Sequence, residues 1–325
     1  MNMRAVSLSG PCEGKNLKLS TIPVPKSRPG WVLVRVRAFG MNHSEELLRK
    51  YEIAEDYIAK PIVPGIECVG EITDPSDSAF APGQRVAALM GGMGRSFNGS
   101  YAEYALLPRA HVFAVASRLN WTELAAVPET WFTAWGSLFE SLHLTSGDRL
   151  LIRGATCALG YAAIQIARAV GCRVIATTHR ENKLPLLAEA DETALDRGNL
   201  RGTLSGVTKA LELVGPRTLR DTLQCGERGG IVCSTGILGG VFALDGFDPI
   251  KEIPNGVYLT GFFSNSPSQN VMDRIFSFIE EHALTPKVGA VYPFSRIAEA
   301  CRTAEEGRVN GKIVIVMDEV AEPSR

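Results

Sequence analysis

The stretch 150–168, LLIRGATCALGYAAIQIAR, constrains what this chain can fold into more than any other. It opens on an apolar run, Leu150-Leu151-Ile152, the mark of a buried strand. A loop of small residues follows, Gly154-Ala155-Thr156-Cys157-Ala158-Leu159-Gly160. Then comes a helix with small and apolar residues at Ala163, Ile164, Ala167 and Val170. Strand, small-residue loop and helix form a cradle where backbone N–H groups and the positive end of the helix dipole meet a pyrophosphate. The spacing G-x-G-x-x-G falls on Ala155, Cys157 and Gly160. The last position lets helix and strand pack closely. The middle one lets backbone approach phosphate, and Cys157 places a Cβ and a sulfur there. The stretch therefore reads as a tightened dinucleotide cradle or as an ordinary strand-to-helix turn.

A chain of 325 residues predicts two domains, each with a full core. A net charge of -1 gives no electrostatic case for nucleic acid or an anionic membrane surface. No apolar run approaches the ~20 residues needed to span a bilayer. The opening residues, MNMRAVSLSG, lack the apolar core of a signal peptide. The seven cysteines, Cys12, Cys68, Cys157, Cys172, Cys225, Cys233 and Cys301, form no C-x-x-C pair and read as free thiols of a reducing compartment. The expectation is a cytoplasmic enzyme with no nucleic-acid or membrane partner. Only the tail 319–325 reads as disordered.

Residues 1–120 read as a β-rich unit of short strands broken by Gly and Pro: 4–8, 17–19, 32–38, 61–72, 84–89 and 100–106. Residues 39–47 read as a turn into a short helix, with Ser44 or Asn42 as its cap and acids in the first turn. Helices are expected at 121–127 and 130–142. From Leu150 strand and helix alternate: strands 150–153, 173–177, 209–213, 230–234 and 257–260, with helices 160–170, 181–189 and 216–223 between them. That pattern predicts a doubly wound parallel sheet. A helix at 271–282, a strand at 288–292, a helix at 297–306 and a strand at 312–317 close the chain.

The end of the second sheet strand separates NAD from NADP binding, because an acid there bonds the ribose hydroxyls of NAD. Thr178 stands at that position, followed by Arg180 and Lys183. A hydroxyl and two cations favour a 2′-phosphate and hence NADPH; two solvated charges at a helix start are the alternative.

Six motifs now stand in order. They are 42–49 (N-x-x-E ahead of an Arg), 64–70 (PGIECVG), 82–86 (PGQRV), 99–104 (GSYAEY), the loop and helix 154–167, and 311–314 (GKIV). The chain resembles the medium-chain dehydrogenase/reductase superfamily over nearly its whole length, in its zinc-independent quinone-oxidoreductase-like branch. The resemblance implies an α/β fold: a GroES-like β-rich catalytic domain at 1–122 and 268–325, and a Rossmann NADPH-binding domain at 123–267. It also implies a homodimer, with an edge strand at 257–263 pairing across a two-fold axis.

Zinc-using relatives carry a Cys, a His-Glu pair and a later Cys or acid; the matching residues here are Asn42, Ile66-Glu67 and Glu129. An amide and two carboxylates make a poor zinc site, and the lobe of a structural zinc would fall in GGMGRSFNGS, which has no cysteine. Without a metal to polarise a ketone, the expected acceptor is already electrophilic, a quinone or an α,β-unsaturated carbonyl. A dedicated biosynthetic reductase and a non-enzymatic NADPH-binding redox sensor are the alternatives.

By motif position the resemblance places Asn42 at the nicotinamide, and location adds Thr130 and Thr133. It makes Ala155, Thr156, Cys157, Ala158, Leu159 and Gly160 the phosphate loop. Gly236, Ile237, Leu238, Phe262, Phe263 and Ser264 resemble cofactor loops of the family, and Asn310 and Lys312 lie in its closing motif. Tyr51 and Tyr57, with His43, are candidates for the proton donor. Met90, Met93, Phe97, Trp131 and Phe263 line a substrate pocket or belong to the core.

Overall fold

The computed structural model describes residues 1–204 and 206–318. The expected disorder of 319–325 lies outside the described residues. The chain divides into two compact units, Met1–Glu129 with the segment from Asn265, and Thr130–Ser264.

The first unit is built on a seven-stranded sheet. Along its path run Val288–Pro293, Lys312–Val316, Trp31–Gly40, Glu67–Asp74, Arg85–Leu89 and Val112–Ala114, and Tyr104–Pro108 also pairs with Trp31–Gly40. Asn2–Val6 and Leu19–Pro23 form a separate antiparallel pair. Alternating apolar residues of Trp31–Gly40 fill the interior, where Phe39 stacks on Tyr101 at 4.5 Å between ring centres. The helix His43–Lys50 leaves this sheet at Gly40, and Glu45 and Arg49 are buried within it.

The second unit is a six-stranded parallel sheet in the order Glu192–Leu195, Arg173–Thr178, Arg149–Arg153, Val207–Glu212, Gly226–Ser234, Tyr258–Gly261. Numbered within the unit, this is the doubly wound order 3-2-1-4-5-6, with its switch point beside Arg149–Arg153. Leu151, Ile175, Leu219, Leu223 and Val232 form its core. Tyr258–Gly261 is the edge strand, shorter than the expected 257–263.

Several elements depart from the sequence reading. The strand expected from Pro61 begins only at Glu67. Pro61 and Pro64 carry no N–H, and Gly65 sits at φ +109°, so 61–66 is a loop tied in through a bridge from Ile62 to Leu8. The strand expected at 17–19 starts at Leu19, after a 3₁₀ turn over Gly14–Asn16, and the one expected at 100–106 starts at Tyr104. The segment 181–189 holds a 3₁₀ helix, Glu181–Leu187, with Pro185 inside it. The helix expected over 130–142 runs as α from Pro128 to Trp135 and widens to a π turn over Gly136–Ser141. A Cβ on Gly136 would lie 1.9 Å from the Phe262 ring, so the wide turn opens where that ring presses on bare backbone.

Candidate functional site

The cradle in the second unit begins where Arg149–Arg153 ends. Gly154 turns the chain at φ +82°, its N–H donating to the Thr177 hydroxyl at 3.2 Å and that of Ala155 to the Thr177 carbonyl at 2.8 Å. The helix Ala158–Val170 then starts with Cys157 as its cap, and the Cys157 sulfur accepts from Gly160 N–H at 3.4 Å. The sulfur expected to crowd the cradle is thus folded back onto the first helical turn. Gly160 has no substitute, because a Cβ there would stand 2.2 Å from the Ala155 carbonyl oxygen.

Across the sheet, Gly236 packs so closely on the preceding turn that a Cβ would lie 2.2 Å from the Leu213 oxygen. The Leu238 N–H bonds that same oxygen at 3.0 Å, while the Leu238 side chain is 51% exposed. Ile237 lies between these two residues. Phe263 is exposed and Ser264 buried; Phe262 meets Phe132 at 5.8 Å. Thr130 and Thr133 are buried on the helix Pro128–Trp135.

At the end of the second sheet strand Thr178 is buried, its hydroxyl 3.3 Å from that of Thr156 and accepting from Arg180 N–H at 3.3 Å. Arg180 and Lys183 follow at once. Burial holds the Lys183 ammonium below the usual lysine range, and the Arg180 charge lowers it further. Arg180 is exposed and Lys183 half-buried, on the segment that follows the strand.

The first unit holds a second constellation. Lys312 Nζ lies 2.6 Å from Glu67 Oε1 and donates to Asn42 Oδ1 at 2.6 Å, and Asn42 Nδ2 donates to Glu67 Oε1 at 2.8 Å. The other Glu67 oxygen accepts from Glu129 N–H at 2.8 Å. Glu67 is 0% and Lys312 2% exposed. Gly40 makes the room: a Cβ there would lie 2.2 Å from Lys312 Cε and 2.6 Å from Glu67 Oε1. Beside them Glu45 accepts from Asn42 N–H at 2.7 Å and from Ile66 N–H at 3.0 Å. Burial pushes the Glu45 carboxyl up to about 7, and the Glu67 charge adds to the rise.

Asn42, expected to face the nicotinamide, is thus clamped between a carboxylate and an ammonium. Lys312, expected as a cofactor contact, is buried in an ion pair. Asn310 keeps its side-chain oxygen buried without a hydrogen-bond partner. Tyr51 and Tyr57, the expected proton donors, are 65% and 64% exposed. Tyr57 donates to Glu52, which also pairs with Arg95, and no described hydrogen bond joins either tyrosine to Asn42. His43 bonds Glu46 at 3.1 Å. Of the expected pocket residues, Met93 and Trp131 are fully buried and belong to the core.

The sequence reading missed two buried ionic groups, the Lys312–Glu67 pair and a cluster around Arg153. Their signal was present: LLIRG and ALELV carry Arg153 and Glu212, IECVG and GKIV carry Glu67 and Lys312, and a charge in a buried apolar strand requires a partner.

Known proteins place this arrangement in a family. Residues 28–117 match the family model of the alcohol dehydrogenase GroES-like domain, and 188–315 that of a zinc-binding dehydrogenase. The chain belongs to the medium-chain dehydrogenase/reductase superfamily and is an oxidoreductase of the kind that binds a nicotinamide dinucleotide. Quinone oxidoreductase of Homo sapiens is 28% identical over 331 residues, covering 97% of each chain. A solved NAD-dependent alcohol dehydrogenase is 30% identical with a TM-score of 0.85, covering 97% of this chain and all of its own. The crystal structure of AibC is 28% identical with a TM-score of 0.88, over 98% of this chain and 96% of its own.

Proposed function

We propose that this oxidoreductase takes NADPH and transfers its hydride to a quinone or an α,β-unsaturated carbonyl without zinc. The observation that carries the reading is the Lys312–Glu67–Asn42 group. Where the family's zinc users present a Cys and a His, this chain has a carboxamide and the apolar Ile66. Of the two carboxylates, Glu67 is already neutralised by an ammonium 2.6 Å away, which leaves an amide and Glu129. A zinc ion needs thiolate, imidazole or free carboxylate donors, so this donor set does not fit one. No Lewis acid then polarises a ketone or alcohol, and the acceptor must carry its own electrophilic carbon.

Bound NADPH supplies the hydride. The chain's own residues hold and aim the cofactor. The first helical turn after Cys157 receives the pyrophosphate, with Gly160 keeping helix and strand in contact. Arg180 and Lys183 grip the 2′-phosphate, Arg180 as a two-pronged donor, while Thr178 leaves out the carboxylate that would repel it. Lys312, Glu67 and Asn42 form a rigid, neutralised polar block that keeps the strand Lys312–Val316 against Trp31–Gly40. The exposed edge strand Tyr258–Gly261 supports a homodimer paired edge to edge, which sedimentation of the purified chain tests.

Steady-state kinetics with NADPH and NADH test the reading, each run against 1,4-benzoquinone, an aliphatic enone, a saturated ketone and a primary alcohol with NADP⁺. The expected result is turnover of the first two acceptors with NADPH preferred over NADH. Turnover restricted to the alcohol and saturated ketone, or a preference for NADH, overturns it.

A further inference from the structure

Arg153 closes the central strand of the parallel sheet with a side chain that is 0% exposed. All three of its guanidinium nitrogens donate hydrogen bonds. Nε and Nη2 donate to the two oxygens of Asp196 at 2.7 and 2.9 Å, as a fork. Nη1 donates to Asp221 at 2.7 Å, to the Thr222 hydroxyl at 2.9 Å and to the Thr218 carbonyl at 3.2 Å. Thr222 passes its own hydrogen to Glu212, the register partner of Arg153 on the neighbouring strand.

Each carboxylate in this group also holds a turn. Asp196 accepts from Gly198 N–H at 2.8 Å. Asp221 accepts from Leu200 N–H at 2.8 Å and Arg201 N–H at 3.2 Å. Glu212 accepts from Val214 N–H at 2.8 Å and Gly215 N–H at 3.0 Å. Arg153 itself is the residue before Gly154, where the phosphate loop begins. Three turns leave the carboxyl edge of this sheet at 154–157, 196–201 and 213–215: the guanidinium holds the second through Asp196 and Asp221 and the third through Thr222 and Glu212, and the first follows Arg153 directly in the chain.

We infer that Arg153 is a positioning residue for dinucleotide binding, holding the turns 196–201 and 213–215, and the strand end from which the phosphate loop departs, in the shape that receives the cofactor. The inference rests on reading the unit as the nucleotide-binding one. Stability alone is a poor account of the group, since well-packed apolar residues replace a buried ion cluster at equal or better stability. What apolar packing cannot do is fix backbone N–H groups of two separate turns at hydrogen-bond distance, beside the strand end that leads into Gly154. The group also sits at the edge where doubly wound sheets bind their ligands, beside the switch point.

The test compares wild type, Arg153→Met and Arg153→Lys in the full chain. NADPH affinity is read by fluorescence titration, kcat at saturating NADPH with benzoquinone, and fold by near-UV circular dichroism. The expected result for Arg153→Met is a Kd at least tenfold weaker with kcat within threefold of wild type. Arg153→Lys, which keeps the charge but bonds one carboxylate at a time, recovers part of the affinity. A Kd within twofold of wild type in Arg153→Met overturns the inference, as does an equal loss of kcat and affinity in both variants. Should Arg153→Met fail to fold, Asp221→Asn cuts one charged link at constant volume. Its expected Kd is three- to tenfold weaker with kcat unmoved, and an unchanged Kd overturns the inference. Wild type that binds neither NADPH nor NADH overturns the nucleotide reading itself; wild type that binds while Arg153→Met binds equally well overturns only the role of Arg153.

Discussion

Replacing Lys312 by methionine isolates what the buried cation does in the first unit. Methionine is unbranched and fills most of the lysine stem, so little cavity is created. What is lost is the ammonium 2.6 Å from Glu67 and the donor to Asn42 Oδ1. Glu67, with no exposure, then stands as an uncompensated carboxylate. Removing one partner of a buried pair costs roughly 3–5 kcal/mol, most of it the penalty of the charge left behind. Two consequences follow. Lys312→Met loses about that much stability in guanidinium denaturation. The double variant Lys312→Met/Glu67→Gln recovers a large part of it, because the stranded charge is gone. Hydrogen exchange resolved to Trp31–Gly40, Glu67–Asp74 and Lys312–Val316 locates the loss in the strands that the pair joins. A loss below ~1 kcal/mol in Lys312→Met, the range of an exposed pair, refutes the reasoning. So does a double variant as unstable as the sum of its singles.

Three further outcomes are expected. Arg180→Ala weakens NADPH by roughly 1–3 kcal/mol, the worth of a charge-assisted hydrogen bond, and leaves NADH affinity unchanged in the same titration. Gly160→Ala forces a Cβ to within 2.2 Å of the Ala155 oxygen; a cost of about 1–3 kcal/mol in thermal unfolding is expected, with cofactor affinity falling alongside it. Glu45 carries a pH dependence with a definite sign: its carboxyl lies at about 7 in the fold against 4.5 ordinarily. The native state holds the proton more tightly, so the Glu45 contribution to stability is fully present below pH 4.5 and is lost, by roughly 3 kcal/mol, as pH rises to about 7. Across that window the stability of wild type relative to Glu45→Gln falls; equal slopes in the two proteins contradict the assignment.

Much of the second unit was legible because its physics is local. Apolar runs bounded by glycine mark strands buried on both faces, and their alternation with helices predicts a doubly wound parallel sheet. Strand, small-residue loop and helix at 150–170 were legible from residue size and apolar pattern. Side-chain direction was not legible. Nothing in the order of residues says that the Cys157 sulfur turns back onto Gly160 N–H, or that the Phe262 ring presses on Gly136 and opens a π turn. Long-range polar pairing was equally hidden. Asn42 and Lys312 are separated by 270 positions, and only the fold brings the ammonium to the carboxamide and makes Asn42 a clamped spacer. Tyr51 and Tyr57 illustrate the limit of reasoning by proximity in sequence: they follow Asn42 closely, yet both stand in solvent.

Zinc-independent hydride transfer is proposed for a chain whose Glu67, at a zinc-ligand position of the family, is already paired with the Lys312 ammonium. The most direct test is the metal content of the purified chain, set beside its NADPH–benzoquinone turnover before and after exhaustive chelation. The account predicts zinc far below one equivalent per chain, and kcat and KM unchanged when chelator is added or zinc restored. Stoichiometric zinc, with activity lost on its removal and regained on its return, contradicts it.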